Sequence, residues 1–117
     1  METVSTKLHP SLKKQLIKTF AQMIADLDSP KEIETFLTDF FGEEELETYI
    51  KRIAVAYWLK KGRDTENIKR NLLATPKEID LAKNLLKKEG VELAIKYIEA
   101  EEFANVWAEK IKKFTKT

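Results

Sequence analysis

The chain has 117 residues, a formal net charge of +1, no cysteine, one histidine, three glycines and three prolines. That length is the size of one domain. Without cysteine there is no disulfide framework and no thiolate metal site. A lone His9 argues against a His-rich metal cluster or a Ser/His/Asp enzyme. So few glycines and prolines point to long helices and away from a sandwich or barrel.

No apolar run approaches the roughly 20 residues of a membrane span, and Met1 to Pro10 lack the apolar centre of a secretory signal. The expectation is a soluble, cytoplasmic protein with no membrane partner.

In chain order, Leu12, Leu16, Phe20, Met23, Ile24 and Leu27 recur at helical spacing and predict a first helix from Pro10 or Ser11. His9 reads as an end residue or a helix entry. Ser29-Pro30-Lys31-Glu32 is a capping box with proline at the first helical position, where a missing N–H is harmless. The helix it opens carries Ile33, Phe36, Leu37, Phe40 and Phe41 and stops at Gly42. A third helix runs from Glu43 to Lys61, acidic at its start and basic at its end, as the macrodipole favours. Its apolar stripe is Leu46, Tyr49, Ile50, Ile53, Ala54 and Tyr57, with Val55, Trp58 and Leu59 beside it. A face that wide predicts a central helix or one at a subunit contact.

Gly62 ends the third helix, and Asp64 or Thr65 caps a short fourth with Ile68, Leu72 and Leu73. Thr75-Pro76-Lys77-Glu78 is a second capping box, opening a helix with Ile79, Ala82, Leu85 and Leu86 inward and Gly90 as its stop. Val91 to Phe114 reads as helix in two apolar sets, Val91/Ala94/Ile95/Ile98 and Phe103/Val106/Trp107/Ile111/Phe114, with Glu99 to Glu102 as a bend or an exposed turn. No strand pattern occurs. The fold class is all-α, about six helices in a single domain. Helices 10–41 and 43–61 come first, followed by a helix pair at 64–90 and a C-terminal helical segment at 91–114.

The near-neutral sum hides a pattern. Residues 26–47 carry nine acids against one base, a net of −8, and residues 51–90 carry eleven bases against five acids, a net of +6. Such a basic stretch suits a phosphate-facing surface; charged helices alternating in sign would look the same. Within it, a short helix, a tight turn and a longer capped helix make the outline of a helix-turn-helix, whose second helix projects its first turn into a major groove. An ordinary αα-hairpin shares that outline.

Residues 43–90 resemble the Trp repressor family, and especially its smaller relatives of the YerC/YecD type. The likeness rests on Glu44 to Leu46, on Lys51-Arg52-Ile53-Ala54-Val55-Ala56, on Leu59-Lys60-Lys61-Gly62, and on Ile68, Ala74-Thr75, Ile79 and Lys83. Order and spacing carry it, over roughly 45 residues, and no single motif is diagnostic. The resemblance implies an intertwined homodimer, with helices 10–41 and 43–61 as dimerisation core and 64–90 as helix-turn-helix, that binds double-stranded DNA and regulates transcription without enzymatic activity. Half-sites would then lie about one turn (~34 Å) apart.

The departures bear on function. Leu73 stands where the family has glycine, which is costly if the backbone needs φ > 0; a fourth helix running on through Leu73 would give a different turn. Glu78 and Asp80 place acids where DNA should approach. Leu81 replaces an arginine that helps hold the indole in tryptophan-binding members, while Arg52 matches the arginine that holds the ligand carboxylate. Arg52 could equally pair with Glu43 to Glu47. Tryptophan is therefore not the expected co-repressor, although another small molecule has room. No cofactor or metal is expected.

The candidate DNA-binding residues are Arg63, Lys69, Arg70, Thr75, Lys77, Asp80, Lys83 and Asn84. Of these, Lys69, Arg70 and Lys77 suit phosphates, and Lys77, Asp80 and Asn84 suit base edges. The rival reading keeps the fold and the dimer but uses the helix pair as a protein-interaction or structural element. The tail, with Trp107, Phe114, Lys110, Lys112, Lys113 and Lys116, reads as a surface helix or an amphipathic contact for a membrane or an acidic partner.

Overall fold

Local signals place six α-helices, and no strand, among the described residues. The structure, a computed structural model, describes residues 7–115; the side chains of 103, 104 and 106–115 lie outside the description. The helices are α1 (Pro10–Asp26), α2 (Pro30–Phe41), α3 (Glu43–Lys60), α4 (Thr65–Leu72), α5 (Pro76–Leu85) and α6 (Glu89–Thr115). None is long and apolar enough to cross a membrane. The chain divides into two compact units, residues 1–46 and 47–117.

In the first unit, His9 opens α1: its Nδ1 accepts from the Ser11 backbone N–H at 3.2 Å. Ser29 caps α2 by accepting from the Glu32 N–H at 3.1 Å. Only that half of the expected capping box forms, because the Ser29 N–H already donates to the Leu27 carbonyl at 2.7 Å. An aromatic cluster joins α1 to α2. Phe20 meets Phe36 and Phe40 at centroid distances of 6.0 and 6.1 Å, and Phe36 stacks on Phe40 at 5.1 Å. Neither helix buries a residue.

The second unit has a core where α3 to α6 converge. Val55 and Ala56 from α3, Ile68 from α4, Ala74, Ile79 and Ala82 from the turn and α5, and Ile95 from α6 are buried. Ile53, Tyr57, Trp58, Leu59, Leu72, Leu86 and Val91 pack on them. The expected stripe of α3 is thus only in part its core face: Ile53 and Tyr57 pack on the core, Val55 and Ala56 are its buried residues, and Tyr49 and Ile50 are exposed.

Gly62 ends α3 at φ 83°, with the Gly62 N–H donating to Leu59 and the Arg63 N–H to Trp58, the paired bonds of a Schellman motif. Gly90 does not close α5, as expected from the sequence. The helix ends at Leu85, a turn follows through Lys88, and Gly90 lies in the first turn of α6. There the 27-residue α6 starts with its Glu92 N–H on the Lys88 carbonyl and runs as one helix through Glu99 to Glu102. The second apolar set, Phe103 to Phe114, and the basic tail have side chains outside the described residues.

Candidate nucleic-acid interface

The turn between α4 and α5 decides what α5 presents. Leu73 occupies the left-handed region, φ 52° and ψ 43°, so α4 stops there and does not run on. The Ala74 N–H bonds the Lys69 carbonyl at 3.2 Å, closing the helix end that glycine usually closes. Asp64 stands at the N-terminal end of α4 without a side-chain capping bond.

Thr75 caps α5 reciprocally. Its hydroxyl oxygen accepts from the Glu78 N–H at 3.1 Å, and its own N–H donates to Glu78 Oε1 at 2.9 Å. Glu78 also lies 3.6 Å from Lys51 Nζ, which donates to the Leu73 carbonyl at 3.1 Å. The Thr75 backbone N–H holds the Glu78 carboxyl below its ordinary pKa against the opposing effect of burial, and Lys51 adds to the lowering. Glu78 is therefore a partly exposed acid whose carboxylate is engaged by the Thr75 N–H and by Lys51.

Ile79 and Ala82 seat α5 on the core, so the opposite side of the helix is fixed by its 100° step. Lys77, Asp80, Leu81 and Asn84 fall on that outward side, and all four are exposed. Lys83 lies on one flank. With Thr65, Lys69, Pro76, Ile79 and Asp80 it lines a recess of about 120 Å³ between α4 and α5. Glu78 lies on the other flank, toward α3.

The remaining candidates are placed as follows. Lys69 is half-buried and pairs with Glu66 at 3.4 Å, one turn away on α4. Arg70 is exposed. Thr75 spends its hydroxyl on the cap. Arg63 is exposed, with its guanidinium over Trp58 at 3.9 Å from the ring centroid. Arg52 sits over the Tyr49 ring at 5.4 Å; an aromatic face is its contact here.

The structure thus brings Lys69, Lys77, Asp80, Lys83 and Asn84 to α5 and its groove, and keeps Arg52 on α3 and Arg63 at the α3 terminus. Sequence reasoning missed Lys51. Its signal is faint: a lysine 22 residues before Leu73, with no local pattern. No family model matches this chain, and no curated protein or solved structure matches it.

Proposed function

We propose that the chain is a Trp-repressor-like regulator that binds duplex DNA as a homodimer, with α4 and α5 as its helix-turn-helix. The observation that carries this reading is the outward stripe Lys77/Asp80/Leu81/Asn84 on a capped α5 within a segment of net charge +6. Lysine and asparagine are donors to base edges, Asp80 an acceptor for cytosine N4, and Leu81 a partner for a thymine methyl. Lys69 and Lys83 line the recess beside the stripe and Arg70 is exposed on α4, three cations suited to phosphates. Glu78, an apparent objection, is neutralised by Lys51.

The exposed apolar surface supports a second copy as partner. Ile17 and Phe40 are 59% and 60% exposed, and Leu12, Leu16, Tyr49 and Ile50 are exposed with them. Burying each such side chain contributes about 1.5–3 kcal/mol, which a partner of the same sequence recovers on both copies.

Selection of duplexes from a random pool at about 50 mM salt tests the reading. Enrichment of a two-fold symmetric site supports it, and its affinity should fall steeply toward about 200 mM salt. If no duplex is retained above background, the α4–α5 pair is a protein-interaction element; the exposed Leu73 and Leu81 are what favour that second reading.

A further inference from the structure

We infer that Lys51 is a positioning residue, a clasp from α3 that holds the strained turn at Leu73 and so fixes how α5 is presented. For its effect on DNA the inference rests on the proposed function; the clasp itself rests on geometry alone.

Leu73 is a leucine in a conformation that a Cβ disfavours about tenfold. Its side chain is 77% exposed, so packing does little to hold it there. Something else must. Lys51 Nζ takes the Leu73 carbonyl at 3.1 Å and faces Glu78 Oε2 at 3.6 Å. Glu78 in turn receives the Thr75 N–H at 2.9 Å. One ammonium therefore reaches from the central helix to the left-handed residue and to the carboxylate that caps α5.

The consequence follows from lever geometry. The outward stripe begins at Lys77, four residues past the strained position. A small change in the backbone at Leu73 swings α5 about its start, and a helix seated wrongly for part of the time binds with its affinity reduced by that fraction. Lys51 itself is on the α3 flank, away from the stripe, with its side chain only 25% exposed. It is placed to act through the turn and not on a phosphate.

The test is a cycle in the full chain using Lys51→Met, Leu73→Gly, and the two together, with Lys51→Arg as the conservative variant. Glycine accepts the left-handed region freely, so its turn needs no clasp. Lys51→Met should weaken binding to a selected duplex about fivefold. The slope of log K against log salt should not change. Lys51→Arg should restore most of the loss, and in the Leu73→Gly background the methionine should cost less than about twofold.

The same cycle read by urea unfolding needs no DNA, and should show a coupling of at least about threefold in the unfolding constant. Additive effects in both readouts would reduce Lys51 to an ordinary surface ion pair and overturn the inference. A salt slope lowered by about one would make Lys51 a phosphate contact, and overturn it too. Should the wild type retain no duplex, the DNA reading fails while the unfolding cycle still judges the clasp.

Discussion

At Leu73 a side chain with a Cβ occupies backbone space that glycine enters without cost. The left-handed conformation costs a branched or bulky residue roughly 1–2 kcal/mol, whereas glycine loses about 0.4–1 kcal/mol through the greater freedom of the unfolded chain. Leu73→Gly should therefore stabilise the protein by about 0.5–1 kcal/mol. A shifted urea midpoint at constant m-value would show this, and a destabilised variant would mean that packing holds the leucine. Two residues on, Thr75 closes both halves of a capping box. Thr75→Ala should cost about 1 kcal/mol. Glu78 gives the pH dependence its sign. Its carboxyl titrates lower in the folded chain than unfolded, so it adds stability that is complete above an unfolded value of about 4.3 and lost as pH falls through the folded value. Against Glu78→Gln, which keeps the cap but not the charge, the wild type should lead at neutral pH and lose that lead on acidification below about pH 4.

At the scale of elements, burial separates the two sides of α6. Ile95 is fully buried in the convergence of α3, α4 and α5, while Leu93, two residues earlier on the same helix, is exposed. Ile95→Ala should cost about 2–4 kcal/mol in thermal or urea unfolding, and Leu93→Ala should stay within about 0.5 kcal/mol. An equal cost at both positions would mean that α6 is seated differently. The helices themselves were legible because punctuation marks them: two Ser/Thr-Pro-x-Glu boxes start α2 and α5, and Gly42 and Gly62 stop α2 and α3. The faces were less legible. Ile53 to Leu59 is seven consecutive apolar residues, so the period of α3 in that stretch selects no side, and the structure buries Val55 and Ala56, packs Ile53 and Tyr57 against them and leaves Tyr49 and Ile50 exposed. Gly90 misled for a related reason: glycine after an apolar run signals a stop, but in a first helical turn, where N–H groups are still unpaired, it costs little. At the candidate site, the outward stripe of α5 followed from the positions of Ile79 and Ala82. The roles of Lys51 and Glu78 did not, because a contact across 22 or more residues leaves no local pattern.

For the whole molecule, charge and exposed apolar residues are distributed unevenly along the chain. The 26–47 segment is rich in acids, and Ile17 and Phe20 on α1 and Phe40 on α2 offer apolar surface; the basic 51–90 segment carries the outward face of α5. If two copies cover each other through α1 and α2, unfolding and association become one equilibrium, and the thermal midpoint must rise with protein concentration. Light scattering should give twice the chain mass of 13.6 kDa at micromolar concentration. Phe40→Glu would set a charge into that contact and should drive the mass toward one chain. It lies outside the basic segment, so any DNA binding it loses is lost through the dimer. Two copies present two outward stripes, and a monomer only one. The variant should therefore keep weak contact with a single half-site while its salt slope falls to about half the wild-type value, since half the phosphates are neutralised. A monomeric wild type would remove the two-fold geometry, and with it the reason to expect a symmetric site. A dimeric Phe40→Glu would move the contact away from α2, toward Tyr49 and Ile50 on α3.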